Sequence, residues 1–418
     1  MQEKKIFYLI EIKYIIINNW LYNEGGSRQM SNFEINHTLF SNNVRNIEIS
    51  GIRKFFNKVS EVPEALSLTL GQPDFSVPDK IKSAMIKAIE ENKTGYTSNA
   101  GLPELREEIS KYLKSFDINY SAEETCMTIG GSEGLLSVFM ALINKGDKVL
   151  IPAPAYPAYE SCVKLVGGTL VNYELNTDFT INFEKLKNTI AVEKPKLLVI
   201  SYPSNPTGAV LSKEDRDRLY SIVKQENIVV ISDEIYSALC YEDSYYSICQ
   251  YEDIKHKVIL VSGFSKMFSM TGLRLGYVCA EKVYMDQIIK VHQYNVSCAP
   301  SVVQWGAYEG LKSSLRDVEN MKLEFKKRRD YLFERLTSMG MEVVIPKGAF
   351  YIFPYIKKYG LSSEEFCERL LREGLVAAVP GSAFGSGGEG YMRISYSYSM
   401  DNLKNAMDRL EKWLKENF

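Results

Sequence analysis

The sequence predicts an α/β protein: a mostly parallel central sheet with helices on both faces, and a smaller α/β part made of the N-terminal arm and the C-terminal segment. Apolar, β-branched runs recur at Lys196–Ser201, Ile228–Ser232 and Lys257–Ser262, the composition of strands buried on both faces. Helix-patterned segments such as Lys213–Gln225 separate such runs, which is the alternation of βαβ winding. Successive strand ends deliver Gly131, Asn205, Asp233 and Lys266 in chain order. Open parallel sheets bind ligands at such carboxyl ends.

With 418 residues the chain can bury a full core, and its length predicts one large domain with a smaller one. We expect an extension or arm over 1–29, an arm over 30–62, a large ligand-binding domain over 63–300 and a small domain over 301–418. A formal net charge of −2 gives no electrostatic reason to expect nucleic acid or an anionic membrane as partner. Seven cysteines, an odd number with no C-x-x-C pair, point to a reducing cytoplasm rather than a disulfide framework. His37, His256 and His292 lie far apart, so no His-based metal site is expected. The apolar stretch Ile6–Ile17 is broken by Glu11 and Lys13, which suits neither a signal peptide nor a membrane span. We expect the authentic start at Met30, with Glu24-Gly25-Gly26 as a ribosome-binding site read through in frame.

Taken in order, Asn32–Val62 reads as an arm and a short amphipathic helix carrying Ile47, Ile49, Ile52, Phe55 and Phe56. Leu66–Phe75 reads as a strand stopped by Gly71 and Pro73, and Leu102-Pro103 as a helix start. Met127–Gly134 is a Gly-rich turn entering an apolar helix. Its free N–H groups and helix dipole suit an anion, with backbone donors from Gly131, Ser132 and Glu133; simple helix capping would explain the same residues. Val149–Pro152 is a short strand, and the Pro-x-Tyr-Pro spacing after it holds Tyr156 stiffly. Asp233 ends a buried run, where an acid needs a partner or takes up a proton. Lys266 follows another such run among small residues; a lysine there is a nucleophile if neighbouring cations depress its pKa. Arg274, eight residues on, offers a planar fork suited to phosphate. Ser301–Met339 reads as a long helical link, with Glu324, Lys326–Arg329 and Glu334 as its solvated face. Arg393 lies in an alternating apolar run, where a lone arginine on an edge strand is ordinarily a surface residue.

Gly263, Phe264, Ser265, Lys266, Ser269, Met270, Gly272, Arg274, Leu275 and Gly276 together resemble the lysine signature of the class I and II aminotransferases, the fold-type-I enzymes of pyridoxal 5'-phosphate (PLP). The resemblance runs from about Asn32 to the C-terminus. It implies that Lys266 carries PLP and serves as the base, and that Asp233 meets the pyridine nitrogen. Asn205 and Tyr236 would then hydrogen-bond the phenolic oxygen, and Tyr156 would stack on the ring. Gly131, Ser132, Glu133 and Arg274 would hold the phosphate, with Tyr96 reaching across a homodimer interface to the partner's phosphate. Val291–Ala299 would lie near that interface. Gly71, Asn205 and Arg393 would bind the substrate, Gly71 and Arg393 at its carboxylate. The substrates implied are an L-amino acid and a 2-oxo acid, exchanged by a ping-pong mechanism. Arg45–Phe55, His292–Ala299 and Gly388–Tyr391 are similar to the bacterial aminotransferase A subgroup, which implies N-acetyl-LL-diaminopimelate and 2-oxoglutarate in lysine biosynthesis. An aspartate or aromatic aminotransferase is the next expectation. A PLP-dependent β-lyase would keep every cofactor residue. A PLP-sensing regulator would need a DNA-binding domain, for which the thirty or so residues before Asn32 are too few and insufficiently basic.

Overall fold

The apolar runs form strands close to where their composition places them. In the computed structural model, which describes residues 39–418, the strands are β1 (Leu66–Ser67), β2 (Thr125–Thr128), β3 (Lys148–Ala153), β4 (Thr169–Glu174), β5 (Leu197–Ser201), β6 (Val229–Asp233), β7 (Val258–Gly263), β8 (Gly276–Cys279), β9 (Tyr351–Ile352), β10 (Val376–Ala377), β11 (Val379–Pro380) and β12 (Met392–Ser395). The expectations about residues 1–29 and a start at Met30 fall outside the described residues.

Seven strands form the central sheet in the order β2-β8-β7-β6-β5-β3-β4. β3 to β7 are parallel, whereas β8 runs antiparallel to both its neighbours. Alternate residues along these strands enter two separate apolar clusters. Leu198, Ile200, Val230, Val258 and Leu260 join one; Leu197, Val199, Ile231, Ile259 and Val261 join the other. A strand sends successive side chains to opposite faces, so an unbroken apolar run needs helices on both. The helices Pro103–Lys114 and Lys213–Gln225 cover the first face through Leu105, Ile109, Leu219 and Ile222. The helix Gly130–Leu142 covers the second through Leu135, Val138 and Phe139.

A third cluster unites Phe55 and Val59, from the helix Gly51–Val59, with Phe325, Phe350, Leu370 and Leu410. Around it lie a three-stranded sheet, β11-β12-β9, and the pair β1-β10. Residues 43–418 form one compact unit.

Four local expectations need correction. The strand expected over Leu66–Phe75 is only Leu66–Ser67, paired with Val376–Ala377, because the chain then turns toward the sheet edge at Gly71. The long helical link is two helices, Ser301–Ser313 and Leu315–Ser338, broken at the buried Ser314. The charged face expected on the second helix is not all solvated, since Arg328 and Arg329 are buried. Arg328 donates to Asp74 at 2.7 Å and Glu324 at 3.2 Å, and Arg329 to Asp330 at 2.8 Å and the carbonyl of Pro346 at 3.0 Å; those partners make their burial tolerable. Finally, Arg393 lies on no edge: β12 is the middle strand of its sheet, and the side chain is buried.

Candidate active site

The sheet topology gathers the site. β5, β6 and β7 are parallel, so the turns after Ser201, Asp233 and Gly263 open at one edge. β8 runs the other way, so its first residue, Gly276, pairs with both Gly263 of β7 and Thr128 of β2 at that same edge. Lys266 leaves the edge on a short helix, Phe264–Met267, and Arg274 is brought back to it by the returning chain. The reversal closes with Arg274 in the left-handed region, φ +54°. For a residue with a Cβ that conformation is uncommon and is held by its surroundings. Here the Arg274 guanidinium donates to the carbonyl of Thr271 at 2.8 Å, and a Cβ at Gly130 would lie 2.4 Å from its Nη2. Gly276 is equally required, because a Cβ there would fall 2.6 Å from the Gly131 nitrogen. These glycines let a guanidinium and a helix N-terminus approach each other, two anion-binding elements side by side.

The resulting cavity, about 340 Å³, is lined by Gly71, Gly131, Ser132, Tyr156, Asn205, Asp233, Tyr236, Lys266, Arg274 and Arg393. All ten were singled out from the sequence. Lys266 donates to the carbonyl of Gly71 at 2.6 Å. Burial, then the charges of Arg274 and Arg393, pull its amine down to about 8, with Asp233 opposing them. A fraction of this amine is therefore neutral near pH 7, as a nucleophile or base requires.

Asp233 is buried with no cation hydrogen-bonded to it; the hydroxyl of Tyr159 donates at 2.7 Å and the N–H of Ile235 at 3.1 Å. Burial raises its pKa, and those two donors work against the rise. Arg393 donates to Asn205 Oδ1 at 2.9 Å and to the carbonyl of Thr69 at 2.6 Å. Its Nε has no partner, and its guanidinium lies 4.4 Å from the centroid of the Tyr351 ring. Because an arginine can only donate, it fixes the Asn205 oxygen toward itself and leaves the amide NH₂ for another acceptor. Among the described residues no carboxylate forms an ion pair with Lys266, Arg274 or Arg393. Three cations thus share one cavity with one acid, an arrangement that calls for a bound anion.

Two further expected residues lie elsewhere. Glu133 turns its carboxylate from the cavity, accepting from the Ile129 N–H at 3.1 Å and the Ser137 hydroxyl at 2.5 Å, with His292 Nδ1 at 3.2 Å. Only its place in the helix N-terminus relates it to the site. Tyr96 is 90% exposed and does not line its own chain's cavity. Two residues lining the cavity have no role in the sequence reading: Tyr159, which holds Asp233, and Tyr351, whose hydroxyl is 2.7 Å from that of Tyr236. Tyr159 lies in the helix Ala158–Leu165 and Tyr156 just before it, and their rings meet edge to face at 5.7 Å.

Comparison with known proteins agrees with this geometry. Residues 63–410 match the family described as aminotransferase class I and II. The chain is 44% identical over 375 residues to a probable N-acetyl-LL-diaminopimelate aminotransferase of Bacillus subtilis, spanning 89% of this chain and 95% of that protein. It is 42% identical to an aspartate aminotransferase of Pyrococcus abyssi, over 88% of this chain and 96% of that one. The solved aspartate aminotransferase of Thermus thermophilus with maleate superimposes with a TM-score of 0.85 at 32% identity, covering 89% of this chain and 99% of its own. The chain therefore belongs to the class I and II aminotransferases, a family of PLP-dependent enzymes built on the fold-type-I architecture.

Proposed function

We propose that the protein binds PLP and moves the amino group of N-acetyl-LL-diaminopimelate to 2-oxoglutarate, a step of lysine biosynthesis. The observation that carries the cofactor reading is the buried Asp233, with no cation hydrogen-bonded to it, in one cavity with three cations that form no ion pair with a carboxylate. The residues fit the cofactor at each end. Arg274 and the N–H groups of Gly131 and Ser132 would hold the phosphate, and Asp233, oriented by Tyr159, would meet the ring nitrogen. Asn205 would offer its NH₂ and Tyr236 its hydroxyl to the ring oxygen, with Tyr156 against the ring. Bound there, PLP supplies an electron sink that makes the α-hydrogen of an amino acid acidic.

The chain's own groups do the rest. Arg393 would hold the α-carboxylate, its orphaned Nε giving it a further donor, and Gly71 borders the same space. Lys266 Nζ, whose pKa burial and the neighbouring arginines pull down to about 8 in the ligand-free cavity, would be the base that takes the proton from Cα. Tyr96, exposed on its own chain, would reach the phosphate of a second copy in a homodimer with shared sites. The division into a large part over 63–300 and a small part made from 30–62 and 301–418 belongs to this reading. It is supported by the apolar cluster that joins Phe55 and Val59 to C-terminal residues. The seven free thiols suit a reducing, cytoplasmic setting.

The choice of amino donor rests on the 44%-identical relative, and aspartate is the second reading because a 42%-identical relative carries that activity. A half-reaction screen tests both. The visible band of the PLP-loaded protein should bleach with N-acetyl-LL-diaminopimelate and return with 2-oxoglutarate. Bleaching by aspartate or an aromatic amino acid alone would overturn the diaminopimelate assignment. Release of ammonia and pyruvate from a cysteine conjugate, without amino-group exchange, would point to a lyase instead.

A further inference from the structure

Tyr351 lies against Tyr236, Gly71 and Arg393 in the cavity, yet no step described above uses it. Its ring is 1% exposed and lies at the start of β9, in register with Ser395 of β12. The hydroxyl is 2.7 Å from that of Tyr236. A Cβ added at Gly71, whose carbonyl holds Lys266, would lie 2.1 Å from that same hydroxyl oxygen. The guanidinium of Arg393 stands over the ring.

Two hydroxyls at hydrogen-bond distance have room for one proton between them. If Tyr236 spends its proton on Tyr351, it has none for an acceptor in the cavity. If Tyr351 donates instead, the Tyr236 proton is free to point inward. A negatively charged ring oxygen in the cavity selects the second arrangement, and each donation then strengthens the next. The surroundings favour the same direction. Burial raises the pKa of both phenols and the positive charge of Arg393 opposes the rise in each, but it is second only to burial for Tyr351 and a lesser cause for Tyr236, so the Tyr351 hydroxyl is the better donor.

We infer that Tyr351 is a positioning residue that donates its proton to Tyr236, so that Tyr236 donates to the ring oxygen of the cofactor. The inference rests on the cofactor reading above and adds a two-hydroxyl relay that tunes the cofactor's proton affinity. A ring oxygen whose charge is less well met holds a neighbouring proton more tightly, so loss of either hydroxyl raises the pH at which the bound cofactor titrates.

The test is a pH titration of the visible absorbance of the PLP-loaded protein. Tyr351→Phe keeps every ring contact and removes only the hydroxyl. Its midpoint should rise by about half to one pH unit, the worth of one hydrogen bond, or roughly a three- to tenfold gain in proton affinity. Tyr236→Phe should raise it further, and the double variant should match Tyr236→Phe alone, because the relay acts only through Tyr236. An unmoved midpoint in Tyr351→Phe, alongside a shifted Tyr236→Phe, overturns the relay and leaves the cofactor reading intact. Equal shifts from Tyr351→Phe in both backgrounds overturn it as well, since Tyr351 would then act independently. Absence of any visible band in the parent protein after adding PLP overturns the cofactor reading itself. Melting temperatures of the variants, measured with and without PLP, separate these outcomes from simple misfolding.

Discussion

At one end of the cavity Arg274, Gly131 and Asp233 hang from the edge of a single sheet; at the other, Arg393, Asn205, Thr69 and Tyr351 come from separate segments, with Arg393 and Thr69 324 residues apart. The first end is spaced by strand pairing, which repeats at about 4.8 Å whatever the side chains are. The second is spaced by the side chains themselves: one buried arginine draws Asn205 and the Thr69 carbonyl together and lies against Tyr351. The sheet end should therefore tolerate substitutions locally, each removing one function, whereas a substitution at the arginine end should disturb several groups together.

The largest effect sharpens neither side, because Lys266 serves both. Lys266→Ala should lose the visible band formed with PLP and lower turnover by at least about 10³-fold, as expected for removing a central acid–base group. Full activity in that variant would refute the site outright.

Asp233→Asn tests the sheet end. It should lower kcat/KM by about 100-fold, the worth of a buried charge-assisted hydrogen bond, without harming the ligand-free fold. In the ligand-free protein burial raises the Asp233 pKa, so the folded state holds its proton more tightly. That contribution to stability is full at low pH and is lost as pH rises from the ordinary aspartate value near 4 through the raised one. Denaturant melts across this window should show the loss in the parent and its absence in the Asn variant.

Arg393→Lys tests the arginine end. KM should rise about 10- to 30-fold for both the amino acid and the 2-oxo acid, since an ammonium cannot reproduce the planar fork. Melting temperature should also fall, because Asn205 and the Thr69 carbonyl lose their common donor. If KM rises with no loss of stability, the contrast between the two ends fails.

The smallest expected effect is that of Tyr159→Phe, about fivefold in kcat/KM for one lost hydrogen bond, with the acid limb of the pH–rate profile moved upward. In the ligand-free protein, borohydride trapping of PLP on Lys266 should rise with pH and level off just above 8, whereas exposed lysines keep gaining reactivity toward about 10.4.

The sheet end was nearly all legible beforehand. Apolar runs mark buried strands, and a polar residue at the end of such a run lies at the sheet edge whichever neighbours the strand acquires. Asp233, Lys266 and Gly131 were found on that ground, and Arg274 by its spacing from Lys266 and the motif around it. At the arginine end Asn205 was legible as the end of a strand, and Arg393 and Gly71 only through the motifs around them. Arg393 was noticed, but its burial in a middle strand, its hold on Asn205 and its place over Tyr351 were not. The same limit explains Arg328 and Arg329, which read as solvated and are buried against Asp74 and Pro346. A charged side chain announces nothing about a partner more than two hundred residues away in one case and seventeen in the other.

Local order in the chain was enough to set the strands, the helices between them, and which residues stand at the strand ends, because hydrophobic period and turn chemistry act over a few residues. Folding in three dimensions settled which cations share a space, which acid has no cation hydrogen-bonded to it, which tyrosine faces which, and that the Glu133 carboxylate points away. Those outcomes depend on desolvation and on hydrogen bonds between distant segments, and both arise only when the segments have come together.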